Sequence, residues 1–242
     1  MSIYGLLGKN IGYSFSRNYF SDKFKKENLN HQYKNFDLEQ ISELPSIIQN
    51  TEIRGMNVTI PYKEEVIPYL DKLDSVAQEI GAVNVIKFEN NGKLTGYNSD
   101  YYGFTESLKP LLNSTIKKAL ILGTGGASKA IAYALSNLSI KYSFVSRNPD
   151  VQELAYHDLD EDIMNEFKLI INCTPLGTHP NIENYPNIPY EYLGKYHVLY
   201  DLIYNPEETT FMKKGKEKGA TISNGLKMLI LQAEKSWEIW NQ

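Results

Sequence analysis

Two hydrophobic rhythms alternate along this chain. IYGLLG (3–8) and HQYKNFDL (31–38) read as strands, and SRNYFSDKFKKEN (16–28) between them sets Tyr19, Phe20 and Phe24 on one side of a helix. A weak helical pattern spans about Ile41 to Ile48. GMNVTI (55–60) is another strand, with Ile60 held extended by the proline that follows it. The spacing then predicts a helix from about Tyr62 to Leu70 and a further one over SVAQEIG (75–81). AVNVIKFENNGKLTGYN (82–98) reads as two strands joined at Asn91-Gly92, a dipeptide suited to tight hairpins.

After a helix at YYGFTESLKPLL (101–112) the character changes at NSTIKK (113–118). KALILG (118–123) runs into TGGASKAIAYALSNL (124–138), a small-residue turn followed by an amphipathic helix. Strands follow at YSFVS (142–146), KLIINCT (168–174) and HVLYDLI (197–203). This strand–helix–strand rhythm implies parallel strands with crossover helices, an α/β class. Helical spacing returns over 226–240, where Leu226, Leu229, Ile230, Ala233, Trp237 and Trp240 recur.

Composition narrows the picture by exclusion. The 242 residues are 42% hydrophobic and 22% charged, an ordinary globular balance that argues against disorder. A net charge of −4 gives no electrostatic footprint for nucleic acid. No stretch approaches the length of a membrane span, and MSIYGLLGKN lacks the pattern of a signal peptide, so a cytoplasmic protein is expected. Cys173 is the only cysteine, which rules out an intrachain disulfide and suits a reducing compartment. The four histidines are scattered without metal-ligand spacing, so no metal site is expected.

The turn at 123–128 carries the first sign of chemistry. Gly123 and Gly125 stand as in the dinucleotide fingerprint, with Ser128 at its third position. Glycines permit close backbone approach, and a helix start offers N–H groups to a pyrophosphate. The next strand ends in Ser146 and Arg147 where an NAD-binding chain places an acid. Arginine's forked donors suit a 2′-phosphate, so NADP is favoured.

The first half supplies a polar set: Ser14, Ser16, Asn57, Thr59, Lys63, Asn84, Asn98 and Asp100. Each has an ordinary explanation alone. Ser16 and Asp100 could cap the helices that follow, Thr59 suits a strand, Asn84 could serve the hairpin, and Lys63 could reach solvent. Together they describe a site for a small polyhydroxylated molecule, in which a lysine and an aspartate make a workable acid–base pair. Lys63 also stands in the first turn of an expected helix, the end where acids and not bases are favoured.

These residues resemble the shikimate dehydrogenase family, whose members reduce 3-dehydroshikimate to shikimate with NADPH in aromatic amino acid (chorismate) biosynthesis. The likeness covers nearly the whole chain and rests on an ordered set: YSFS, NVTIPYKE, GAVNVI, GYNSDYYGF, LGTGGASKA, SRN, INCTPLG, YDLIYNP and NGLKMLILQA. It implies Ser14 and Ser16 on the substrate carboxylate, and Thr59, Asn84 and Asp100 on its hydroxyls. Lys63 would be the acid–base residue with Asp100 as partner, and Tyr204 and Gln232 would close the pocket. Gly123, Thr124, Gly125, Gly126 and Ala127 would hold the pyrophosphate, Ser146 and Arg147 the 2′-phosphate, and Leu202 and Gly225 would line the nicotinamide end.

The resemblance further implies an N-terminal substrate domain (1–104, completed by 225–242) and a Rossmann-type NADP domain (105–224). The C-terminal helix would return to the substrate domain, and the protein would act as a monomer or homodimer. Asn10, Tyr13, Arg17, Thr178, Asn224 and Lys227 depart from the family pattern, which has proline at 10 and 17. Two other readings stay open: a quinate- or NAD-using dehydrogenase of the same kind, and a non-catalytic dinucleotide sensor.

Overall fold

The computed structural model describes residues 1–12, 14–49 and 52–242; Tyr13, one of the departures above, lies outside them. Two compact units divide the chain, Met1–Ser99 with Ala233–Gln242, and Asp100–Gln232. The sequence expectation set the boundaries at 104 and 225. By compactness they fall later in the last helix and just before Asp100.

The first unit runs β1 (Ser2–Gly8), α1 (Phe15–Lys26), β2 (His31–Asp37), α2 (Leu44–Ile48), β3 (Ile53–Val58), β4 (Lys72–Leu73), α3 (Ser75–Ile80), β5 (Val85–Phe88) and β6 (Leu94–Tyr97). Its sheet has the order β2-β1-β3-β5-β6-β4. β1 lies parallel to β2 and β3, β5 is antiparallel to β3 and β6, and β4 is parallel to β6. Ser14, rather than the expected Ser16, caps α1: its hydroxyl accepts the Arg17 N–H at 3.1 Å. Three lysines in the last turn of α1 complement its dipole.

The hairpin between β5 and β6 uses one left-handed residue, Gly92 (φ 81°), whose N–H bonds the Glu89 carbonyl at 2.9 Å. It is a three-residue turn with a glycine bulge, so Asn91 needs no positive φ.

The helix expected over Tyr62–Leu70 is absent. A run of turns takes its place, followed by a short 3₁₀ segment, Ile67–Tyr69. The Lys63 carbonyl, which an α-helix would bond to the Ile67 N–H, instead accepts the Val83 N–H at 2.7 Å. The Ile67 N–H donates to Glu64, and Pro68 has no N–H to extend a ladder. Lys63 therefore meets no unfavourable helix dipole.

An aromatic cluster closes the other face of this sheet. Phe20 stacks on Tyr33 with ring centres 4.8 Å apart, and Tyr4, Phe24, Trp237 and Trp240 surround them. The Trp240 indole also donates to the Ile86 carbonyl at 3.1 Å. A Cβ at Gly55 would lie 2.3 Å from that indole nitrogen, so glycine is what admits the tryptophan.

The second unit runs α4 (Asp100–Leu108), β7 (Lys118–Leu122), α5 (Gly126–Asn137), β8 (Lys141–Ser146), β9 (Leu154–Ala155), α6 (Glu161–Glu166), β10 (Leu169–Asn172), β11 (Val198–Asp201), α7 (Thr210–Glu217), β12 (Thr221–Ser223) and the start of α8 (Leu226–Trp240), whose residues from Ala233 on belong to the first unit. The order is β12-β11-β10-β7-β8-β9, with every pair parallel. This is a doubly wound sheet whose winding reverses between β7 and β10. Gly103 of α4 packs on the start of α8, where a Cβ would lie 2.5 Å from the Met228 carbonyl.

Replacing Trp240 by alanine removes a buried indole and its hydrogen bond to the Ile86 carbonyl. Urea unfolding should show a loss of about 3–5 kcal/mol.

Candidate functional site

In the first unit a buried chain of polar groups links two of the expected site residues. The Tyr33 hydroxyl donates to Asn57 Oδ1 at 2.7 Å. Asn57 Nδ2 donates to Ser236 Oγ at 2.9 Å, and Ser236 Oγ meets Ser99 Oγ at 3.2 Å. Asn84 Nδ2 donates to Ser99 Oγ at 3.0 Å, while Asn84 Oδ1 accepts the Ser99 N–H at 2.6 Å. Such groups are costly to bury unless bonded, so the network fixes their orientations. Burial also pushes the Tyr33 hydroxyl well above the ordinary tyrosine pKa. Sequence reasoning missed Tyr33, Ser99 and Ser236; only their polar character within apolar surroundings signals them.

Thr59 and Lys63 lie past the end of β3, not within the strand and helix expected for them. The Thr59 N–H bonds the Leu7 carbonyl at 2.9 Å, and its methyl would stand 2.5 Å from a Cβ on Gly8. Both residues are half-buried. Asn98 is buried, its amide donating to the Ala82 carbonyl at 2.9 Å.

Two departures from the family pattern gain a physical account. Asn10 takes φ 56°, and its N–H donates to Asp37 Oδ1 at 2.8 Å while the Ile11 N–H donates to Oδ2 at 3.0 Å. Arg17 supplies the N–H that binds the Ser14 cap. A proline could make neither bond, nor adopt a positive φ. Asn224 similarly uses both ends of its amide: Nδ2 donates to the Glu207 carbonyl at 2.9 Å, and Oδ1 accepts the Leu226 N–H at the start of α8. Thr178 donates its N–H to the Pro175 carbonyl, and Lys227 is exposed.

In the second unit Asp100 opens α4 and is buried, at the helix end that favours a carboxylate. Tyr204 is half-buried. Gln232 is buried and donates to the Leu229 carbonyl at 2.9 Å.

The glycine turn sits at the carboxyl end of β7, beside the point where the winding reverses. Open doubly wound sheets bind ligands there. Gly123 takes φ 98°, a left-handed conformation reserved in practice for glycine. Thr124 and Gly125 are exposed, and a Cβ at Gly125 would meet nothing within 4 Å. Among the described residues no side chain caps α5, so its first N–H groups face an open turn. Ser128, at the third fingerprint position, turns its hydroxyl back onto the Gly125 carbonyl at 2.6 Å and is buried. A small side chain bonded in this way satisfies the close packing that glycine otherwise serves.

Ser146 ends β8 with its hydroxyl bonded to the backbone of Asn148, and Arg147 is exposed. The Arg147 charge reaches Tyr156, where it partly offsets the upward push of burial on that hydroxyl. At Gly225 a Cβ would stand 2.0 Å from the Leu202 carbonyl oxygen, so these two expected cofactor residues touch through bare backbone.

Asp201, at the end of β11, is fully buried and went unmarked by sequence reasoning. It accepts Thr209 Oγ1 at 2.6 Å, the Ile203 N–H at 3.0 Å and Asn172 Nδ2 at 3.0 Å. Burial outweighs these bonds and pushes its pKa up to about 6. Burial, together with the Asp201 charge, also raises the Cys173 thiol, disfavouring a thiolate. Among the described residues no group of three His, Cys, Asp or Glu could hold a metal, and no helix is long and apolar enough to cross a membrane.

The fold and turn define a class: a doubly wound nucleotide-binding unit joined to a mixed α/β unit. Comparison with known proteins gives the particular family. The profile described as the shikimate dehydrogenase substrate binding domain matches residues 6–86. The NADP(+) shikimate dehydrogenase of Clostridium botulinum is 41% identical over 98% of this chain and 95% of its own length. Among solved structures, shikimate dehydrogenase 1 of Peptoclostridium difficile is 37% identical with a TM-score of 0.88, covering 100% of this chain and 92% of its own. The Thermus thermophilus enzyme in complex with NADP(H) and shikimate is 29% identical with a TM-score of 0.88, over 99% of this chain and 93% of its own. The chain belongs to the shikimate dehydrogenase family.

Gly123→Ala forces a side chain into the left-handed region with its Cβ 3.1 Å from the Thr174 methyl. Thermal unfolding should report a loss of about 1–3 kcal/mol.

Proposed function

We propose that this protein is an NADP-dependent shikimate dehydrogenase, catalysing the reversible reduction of 3-dehydroshikimate to shikimate. The observation that carries the reading is full-length similarity to enzymes of that name, joined to retention of Lys63, Asp100 and the glycine turn. The second unit would be the cofactor domain, and the first, with the end of α8, the substrate domain. A cytoplasmic location, and action as a monomer or homodimer, complete the reading; the lone cysteine supports the first.

Gly123, Thr124, Gly125, Gly126 and Ala127 would hold the pyrophosphate. The left-handed glycine, the open space at Gly125 and the uncapped start of α5 fit that group. Ser146 and Arg147 would take the 2′-phosphate, with Leu202 and Gly225 at the nicotinamide end. Bound NADPH supplies the hydride for the ring ketone. Ser14 and Ser16 hold the substrate carboxylate, and Thr59, Asn84 and Asp100 its hydroxyls, with Tyr204 and Gln232 completing the contacts. Lys63 gives a proton to the developing alkoxide and recovers one in the reverse direction. Asp100 would serve as its partner in the acid–base step.

A spectrophotometric assay of NADP⁺ reduction with shikimate tests this directly, with quinate and NAD⁺ as competing substrate and cofactor. Absence of turnover with shikimate, despite NADP⁺ binding, would refute the reading. Lys63→Ala should lower kcat by about 10²–10⁴-fold and leave NADPH affinity unchanged in a fluorescence titration. Arg147→Ala should raise the KM for NADP⁺ by about 10–100-fold, the loss of a charge-assisted pair, while the KM for NAD⁺ barely moves.

A further inference from the structure

We propose that the buried Asn172–Asp201 pair is a positioning device for the cofactor bed, holding the glycine turn and the Leu202–Gly225 contact in one geometry. The proposal rests on the reading of the second unit as the NADP domain. Both residues end otherwise apolar strands, LIIN and VLYD, that lie adjacent and parallel in the sheet, and Asn172 pairs with Asp201 in the strand register. Both are fully buried. No hydride or proton transfer needs a group in this position, yet the chain places two strongly polar side chains there.

Their bonds run in two directions. Toward the glycine turn, Asn172 Oδ1 accepts the Thr174 N–H at 3.0 Å and the Thr174 hydroxyl at 2.6 Å. That fixes the Thr174 methyl 3.1 Å from the place a Cβ would occupy on Gly123. Toward the nicotinamide end, Asp201 Oδ1 accepts the Ile203 N–H, and the Ile203 carbonyl in turn accepts the Gly225 N–H at 3.0 Å. Leu202, between them, presents the carbonyl that excludes any side chain at Gly225. Asn172 Nδ2 bonds Asp201 Oδ1 at 3.0 Å and joins the two arms. The free oxygen of Asp201 takes the Thr209 hydroxyl, which anchors the loop before α7 through the Met212 N–H.

Neither side chain is a catalytic residue; both act through Thr174, Gly123 and the Leu202–Ile203 backbone. Asp201→Ala takes the acceptor from the Ile203 N–H and leaves the Asn172 amide only its longer bond to the Leu176 carbonyl at 3.4 Å. Asp201→Asn keeps Oδ1 for both donors and offers its amide to Thr209 Oγ1, which accepts as readily as it donates. Thr174→Val keeps the shape of the side chain and removes its hydroxyl bond to Asn172, together with the weaker bond it accepts from the Leu176 N–H at 3.3 Å.

The test measures NADP⁺ dissociation constants by calorimetry, with steady-state KM for NADP⁺ and for shikimate, on the full chain. Asp201→Ala should raise both NADP⁺ constants at least about tenfold, the loss expected from one buried donor left unpaired. The KM for shikimate should stay within about twofold, and Asp201→Asn should restore most of the affinity. If Asp201→Ala does not fold, Thr174→Val carries the test, with a severalfold rise in the NADP⁺ constant expected. Wild-type NADP⁺ affinity in folded Asp201→Ala or in Thr174→Val overturns the proposal. So does an equal loss of NADP⁺ and shikimate, or a failure of Asp201→Asn to restore binding. Failure of the unaltered protein to bind NADP⁺ would instead remove the functional reading beneath it.

Discussion

The reversal of winding between β7 and β10 is the constraint on which the second unit depends. Six parallel strands deliver six carboxyl ends to one edge, and connections that leave the centre in opposite directions leave a gap there that no crossover covers. A backbone in that gap must satisfy its own polar groups while leaving room for a ligand. The sequence meets both needs with short means: a left-handed glycine, a helix without a side-chain cap, a serine folded onto its own turn, and two buried polar residues closing the neighbouring strands.

The first unit answers a different demand. Its sheet is mixed, and it buries polar side chains, several of them among the expected site residues. The Tyr33–Asn57–Ser236–Ser99–Asn84 chain ties these side chains together, so rotation of any one would break a buried hydrogen bond. The turn after β3 is held by a comparable device. The bond between the Lys63 carbonyl and the Val83 N–H replaces a helix with a compact loop and places the lysine by its backbone.

Most of this architecture was legible in the order of residues. Long segments with a clear period, such as 16–26, 126–137 and 226–240, fold as their apolar spacing says, because burying one face outweighs everything else locally. The glycine turn was legible because strand, turn and helix occur in sequence. What was not legible depended on partners far along the chain. β4, β9 and β12 are two or three residues long and exist through their neighbours in the sheet. The helix at 62–70 was lost to an N–H twenty residues away. Asp201 and Asn172 were overlooked because each is one polar residue at the end of an apolar run, and only their adjacency in the sheet gives them meaning.

The division of α8 between the two units has a consequence for how the protein is born. The second unit is a single uninterrupted stretch, 100–232, whereas the first needs 233–242 to cover Tyr4, Phe20, Phe24 and Tyr33. On a ribosome the N-terminal strands emerge first but keep an uncovered aromatic face until Trp237 and Trp240 arrive, after the whole second unit has been made. Synthesis order and completion order are therefore inverted. The earliest part of the chain is the last to be sealed, which makes that aromatic face the surface most in need of a chaperone's protection while the chain is being made.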